Sequence, residues 1–395
     1  MVVPGFRFAG IAAGIKASGA PDLALIVADA PVSAAGLFTT NRVQAAPVLV
    51  SRRRVAKGRA RAIVVNSGNA NAATGAQGMA DALATTARVA DALGARPAEV
   101  LVCSTGVIGR PLPMDRVLAG VPNAVAALSP AGFAAASEAI LTTDTRPKRV
   151  ARRVALPNGR RVTIAGFAKG AGMIDPRMAT LLAFVLTDAP LEARALRALL
   201  RDANEQSFHR ITVDGDRSTN DTVLALASGA AGGASLAPGK RGWRELEAAF
   251  AEVMHDLALA VVADAEGWTR TLEVEVRGAR NERDALLAAR AIAGSLLVKT
   301  AVHGADPNWG RILAAAGYSG ARFDPARAIV AIGPVDLYHR GRPAGPVPLA
   351  RASTLMKTRA LVPLRVDLAA GAAGATVWTS DLSAEYVRIN ADYTT

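Results

Sequence analysis

The chain has 395 residues, a formal net charge of +13 and one cysteine, Cys103. A single cysteine excludes an internal disulfide and agrees with a reducing compartment. No stretch approaches the roughly 18 to 20 uninterrupted apolar residues of a membrane helix, and the start lacks the charged flank and apolar run of a secretory signal, so cytoplasm is the expectation.

The basic cluster Arg52, Arg53, Arg54, Lys57, Arg59 and Arg61 raises the question of an anionic partner. Arginine is spread over the chain, aromatics are only 4%, and no stacking platform or zinc-finger spacing accompanies the cluster. It reads as a solvated face, and neither nucleic acid nor membrane is expected as a partner.

Short apolar runs alternate with longer amphipathic ones, the pattern of a mixed α and β protein. Asp22–Val27 and Ala62–Val65 read as strands, while Met79, Leu83, Ala87, Ala90 and Leu93 recur at helical spacing until Gly94 and Pro97 stop the helix. Val100–Cys103 reads as a buried strand, which makes Cys103 an inert core thiol. It delivers Ser104, Thr105 and Gly106 at its carboxyl end, where a turn can present backbone N–H groups. Thr142-Thr143-Asp144-Thr145 is a hydroxyl-rich run that reads as a turn ahead of Pro147.

The segment from Lys169 to Thr180 ends on a threonine before the apolar run 181–186, and it reads in two ways. One is a loop leading into a buried strand. The other is a self-cleavage site. A threonine hydroxyl needs a base beside it, and cutting the chain before Thr180 supplies its own amine for that purpose. Gly170 and Gly172 would let the backbone bend so that the hydroxyl faces the Ala179 carbonyl.

Farther on, Gly229–Lys240 reads as a flexible connection, and Trp243, Leu246, Phe250, Val253, Leu257 and Val261 as a helical stripe. Leu272, Val274 and Val276 alternate with Glu273 and Glu275 as in a half-exposed strand. His209, His255, His303 and His339 lack metal spacing, so no metal is expected.

Together with Asn66–Ala72, Arg210–Asp216, Asp306–Arg311 and Ile389–Thr395, the runs at Ser104–Gly109, Thr142–Thr145 and Lys169–Thr180 stand in an order that resembles the ornithine acetyltransferase family, also called the bifunctional glutamate N-acetyltransferase or ArgJ family. The resemblance extends from Gly5 to the last residue. It implies an α+β fold, a four-layer α/β/β/α sandwich of the DmpA/ArgJ-like class, similar to N-terminal nucleophile hydrolases. It also implies a cut between Ala179 and Thr180, giving fragments 1–179 and 180–395 that associate as a heterotetramer of two of each.

The resemblance further implies Thr180 as nucleophile, with Thr105 and Gly106 as the oxyanion-hole pair. Substrate contacts are implied at Thr143, Lys169, Thr180, Glu266, Asn390 and Thr395, with Thr142 and Asp264 as neighbouring candidates. The family's usual neighbour of Glu266 is smaller than Trp268, which bears on the pocket shape there. The implied reaction moves acetyl from N-acetylornithine to glutamate without a cofactor, and acetyl-CoA is left open as a second donor. Asn66–Ala72 and Asp306–Arg311 read mainly as turns that build the pocket. An N-terminal nucleophile peptidase and a basic nucleic-acid-binding protein are the rival readings.

Overall fold

Phe167 and Phe184 are cross-strand partners, and their rings lie 5.3 Å apart in the core. Phe133 meets Phe167 edge to face at 5.1 Å and Phe8 meets Phe133 at 5.2 Å. Each such ring contributes about 1.5–3 kcal/mol by leaving water, so this row anchors the sheet that carries it.

The computed structural model describes residues 1–157, 159–175 and 181–392. They form two compact units, the first made of Met1–His209 and Arg217–Val261, the second of Arg210–Asp216 and the chain from Val262 onward. Among the described residues no single helix is long and apolar enough to cross a membrane.

The strands in the first part of the chain are β1 (Phe6–Ile11), β2 (Leu23–Phe38), β3 (Arg59–Asn69), β4 (Val100–Val107), β5 (Lys148–Ala155), β6 (Arg161–Lys169), β7 (Leu182–Thr187), β8 (Ile211–Thr212) and β9 (Thr222–Ala227). All but β8 belong to the first unit. Its sheet runs β4-β3-β2-β9-β7-β6-β5, with β1 paired to β2. The pairs β3–β4 and β7–β9 are parallel and the rest antiparallel, so the sheet is mixed.

Side-chain alternation divides its faces. Leu23, Leu25 and Val27 pack with Val64, Val100, Val89 and Val121, while Ile26, Ile63, Val65 and Leu101 pack with the phenylalanine row. The helices are α1 (Ala46–Val55), α2 (Gly75–Leu93), α3 (Met114–Ala126), α4 (Phe133–Ala139), α5 (Ala193–Glu205) and α6 (Trp243–Val262). As expected, α2 stops at Gly94, whose φ of 58° is left-handed and whose N–H bonds back to Ala90.

The sheet of the second unit holds β8 together with β10 (Thr271–Ala279), β11 (Ile329–Ile332), β12 (Val335–His339), β13 (Arg342–Pro343), β14 (Leu361–Asp367) and β15 (Ala373–Ser380), in the order β13-β12-β11-β14-β10-β15-β8. Its helices are α7 (Glu282–Ala293), α8 (Leu296–His303), α9 (Trp309–Tyr318), α10 (Pro346–Thr358) and α11 (Ala384–Asp392). Leu272, Val274 and Val276 are buried and Glu273 and Glu275 are not, as their alternation predicts. Two mixed sheets with associated helices make the protein α+β.

Two expectations need correction. Strand β4 does not end at Cys103 but continues through Ser104, Thr105 and Gly106 to Val107, because β3 goes on pairing with it. Strand β2 likewise runs beyond Val27 to Phe38, its pairing with β3 shifting register between Val27 and Val32. Strands β7 and β9 lie between β2 and β6, so fragments 1–179 and 180–395 would share one sheet.

Candidate active site

The parallel ends of β3 and β4 set Ser67 opposite Thr105 and Gly68 opposite Gly106. Gly106 has φ 129°, and a Cβ on it would lie 2.4 Å from the Gly68 carbonyl carbon. Only glycine fits this approach. A lattice of amides holds the strand ends. Ser104 Oγ donates to Asn66 Oδ1, and Asn66 Nδ2 donates to the Asn69 carbonyl at 2.8 Å. Asn220 Nδ2 reaches the carbonyls of Ala70 at 2.6 Å and Ser104 at 2.8 Å. The run Asn66–Asn71 is therefore a polar clasp around the expected oxyanion pair, which leaves Thr105 and Gly106 partly open to solvent.

Asn220 also leads to the second part of the site. Two residues on, the Thr222 N–H donates to the Leu181 carbonyl at 2.9 Å, and Leu182 pairs with Thr222 on one side and Lys169 on the other. Ala179 and Thr180, the expected cleavage pair, lie outside the described residues, as do Pro176 to Met178.

Lys169 closes β6 and is buried. Its ammonium is 3.8 Å from Asp144 Oδ2. The Asp144 side chain is wholly buried and also takes Lys148 Nζ, the Gly170 N–H at 2.6 Å and the Thr142 N–H at 3.1 Å. Burial pushes its carboxyl up, but Lys169, Lys148 and the Gly170 amide outweigh that and hold it at about 2. Thr143, beside it, is half-buried. Of the two glycines expected to bend the following segment, only Gly170 has positive φ, at 158°; the left-handed residue is Met173, at 56°.

In the second unit, Glu266 is buried and accepts Asn390 Nδ2 from α11 at 2.8 Å. The turn at Gly267 fits under α11, where a Cβ would meet the Tyr386 nitrogen at 2.5 Å. Tyr386 donates its hydroxyl to Asp214 at 3.3 Å, and burial, then Asp214 and Glu266, push that hydroxyl well above its ordinary range. Trp268 is tied by its indole N–H to Thr271 at 3.0 Å. Asp264 is buried near Glu266 in sequence. Thr395 lies outside the described residues.

Other motifs resolve into structural roles. Asn308 caps α9 by accepting the Arg311 N–H at 3.2 Å, and Trp309 stacks on Tyr338 at 4.9 Å. Cys103 is buried, and burial pushes its thiol well above the ordinary range. The basic cluster is not simply solvated, because Arg52 lies over the Phe38 ring and Arg54 donates to the Val100 carbonyl at 2.6 Å.

Sequence reasoning passed over Asp144, Lys148 and Asn220. The legible signal was an acid inside a hydroxyl run with a lysine four residues later.

A model of the ArgJ family matches residues 7–395. The chain belongs to the ArgJ family. It is 52% identical over 395 residues, 100% of both chains, to the arginine biosynthesis bifunctional protein ArgJ of Geobacter sulfurreducens. It is 51% identical over 393 residues to the protein of that name from Symbiobacterium thermophilum, covering 99% of this chain and 97% of the other. The crystal structure of the Bacillus halodurans ArgJ protein matches with TM-score 0.52 and 41% identity, over 53% of this chain and 98% of that one. The amide clasp, the glycine approach at Gly106 and the Asp144 cluster therefore belong to an ArgJ-family protein.

Proposed function

We propose that the protein is an acetyltransferase of arginine biosynthesis that moves the acetyl group of N-acetylornithine to glutamate through an ester on Thr180. The observation that carries this reading is the match to an arginine-biosynthesis protein over the whole length of both chains. The arrangement at the ends of β3 and β4 supports it, since a hydroxyl next to a sterically accessible glycine suits the stabilisation of an oxyanion.

The chemistry runs in two stages. Cleavage of the Ala179–Thr180 bond frees the Thr180 amine, which takes the proton of its own hydroxyl as that oxygen attacks the acetyl carbonyl. Thr105 and Gly106 hold the negative oxygen of the tetrahedral intermediate. The intermediate collapses with the C–N bond breaking, the proton passes to the leaving amine, and ornithine departs. The glutamate amine then attacks the ester, and N-acetylglutamate leaves with the Thr180 hydroxyl restored. Lys169 and Thr143 contact the substrate backbone, and Glu266, Asn390 and Thr395 serve as the remaining substrate contacts.

Fragments 1–179 and 180–395 stay together in a heterotetramer of two of each. Acetyl-CoA serves as a second donor, in keeping with the word bifunctional in the relatives' names. No cofactor is required. The deciding experiment offers each donor separately with glutamate and follows N-acetylglutamate. Formation from N-acetylornithine carries the proposal, and formation from acetyl-CoA alone would overturn its first stage.

A further inference from the structure

The loop between β1 and β2 brings another lysine to the ends of β3 and β4. Asp22 is fully buried, and its carboxylate accepts the N–H groups of Ala13 at 2.6 Å, Ile15 at 2.6 Å and Lys16 at 2.9 Å. Its own backbone bonds to Ile11 at 2.8 Å and to Ser67 at 2.9 Å. The carboxylate thus fixes the shape of residues 13–16, and the Asp22 backbone keeps the loop against β3. Such a cluster of backbone donors on a buried acid is a strong local constraint.

The loop places Lys16 over Gly68. A Cβ on Gly68 would come within 2.9 Å of Lys16 Cγ, and Gly68 is the strand partner of Gly106. The Lys16 ammonium donates to the Pro21 carbonyl at 2.7 Å. Burial lowers its pKa, with Asp22 and Asp144 opposing and Lys169 adding to the fall. The ammonium therefore shares an electrostatic neighbourhood with Lys169 and Asp144. Lys169 opposes the charge on Lys16, and Lys148 and Lys169 share the single Asp144 carboxylate. The balance favours an added anion.

We propose that Lys16 is a specificity-determining residue for the acetyl acceptor: a second ammonium that, with Lys169, fits the site to an amino acid bearing two carboxylates. This inference rests on the acetyl-transfer reading. A donor with a cationic side chain brings one carboxylate to the site, whereas glutamate brings two. A half-buried lysine held by its loop is suited to the second, because little side-chain freedom remains to be lost on binding.

Glutamate and glutamine as acceptors, with N-acetylornithine as donor, provide the test. Lys16→Met keeps the stem on Gly68 and removes the charge. It should raise the KM for glutamate about 10- to 100-fold, the range for losing a charge-assisted hydrogen bond. N-acetylornithine should suffer less, and the preference for glutamate over glutamine should largely disappear. Lys16→Arg should keep most of that preference. A Lys16→Met enzyme that still prefers glutamate as the wild type does would overturn the proposal. So would equal losses towards donor and acceptor, since they would make Lys16 a mere support of its loop. Should Lys16→Met not fold, Lys16→Arg decides the matter, and loss of the preference in that variant overturns the proposal. Wild-type protein that takes no acetyl from N-acetylornithine would instead sink the underlying reading.

Discussion

Asp144 holds two adjacent residues at once: Oδ2 lies 3.8 Å from the Lys169 ammonium, and Oδ1 takes the N–H of Gly170 at 2.6 Å. Lys169 ends β6, so this carboxylate orients the proposed substrate contact and the first amide of the segment leading to Thr180. Removing the charge while leaving Lys148 and Lys169 buried is expected to cost about 3–5 kcal/mol. Asp144→Ala should therefore melt at a markedly lower temperature, and Asp144→Asn, which keeps the shape, should lose less. Calorimetry checks both.

The same carboxyl links stability to acid. Its folded pKa is depressed to about 2 from an ordinary 3.8, so its stabilisation is present above about pH 4 and is lost as pH falls through 2. The expected size is about 2 kcal/mol. Acid titration of the wild type should show this component between pH 4 and 2, and Asp144→Asn should lack it.

Processing gives a further prediction. Purified protein should run as two fragments, one ending at Ala179 and one beginning at Thr180, and mass spectrometry should find acetyl on the second after incubation with N-acetylornithine alone. Thr180→Ala should remain uncut and inactive, because it lacks the attacking hydroxyl. Thr180→Ser keeps that hydroxyl and should be cut at least in part. Because β7 and β9 are flanked by β2 and β6, separating the fragments should require denaturant. A single intact chain with full activity would falsify the mechanism.

The oxyanion pair separates chemistry from packing. Thr105→Ala should lower kcat by about 100- to 1,000-fold with little change in KM, since its hydrogen bond strengthens only as charge develops. Gly106→Ala is a different kind of change. Its Cβ would sit 2.4 Å from the Gly68 carbonyl carbon, so β3 and β4 must move apart there. Loss of activity in Gly106→Ala should come with a lowered melting temperature, and in Thr105→Ala without one.

How far the sequence reached is clearest at particular residues. The helix α2 was legible from Met79 to Leu93, and β10 from its alternation with Glu273 and Glu275, because each carries its period locally. Strand β4 was legible only to Cys103, since its apolar run stops there while pairing to Asn66–Gly68 continues through polar residues. The roles of Asp144 and Lys16 were harder to read for another reason, although the acid of Thr142–Thr145 with Lys148 four residues on was a partial signal for the first. What gives them meaning is the partner brought by the fold, Lys169 and Gly170 for one and Gly68 for the other. The residues of the expected site were named through family resemblance, whereas the groups packed around Lys169 and Gly106 are tertiary facts.

The carboxyl terminus gives the last prediction. A tail is expected to fray, and ordering one costs about 1–2 kcal/mol per residue, yet α11 runs to Asp392 and Asn390 donates to the buried Glu266 at 2.8 Å. The hydrogen bond fixes the Glu266 carboxylate, one of the proposed substrate contacts. Asn390→Ala should leave folding and cleavage intact and raise the KM for N-acetylornithine by about 10-fold, the cost of one hydrogen bond to a charged group. Deleting Ala391–Thr395 spares Asn390 but removes Thr395 and the Asp392 partner of Arg388. It too should preserve cleavage while raising KM. Separate kinetics on the two variants distinguish the contributions: an effect of the deletion alone assigns the role to the residues after Asn390, and an effect of Asn390→Ala alone assigns it to the Glu266 pair. If both variants turn over like the wild type, the tail has no part in catalysis and both substrate contacts should be withdrawn.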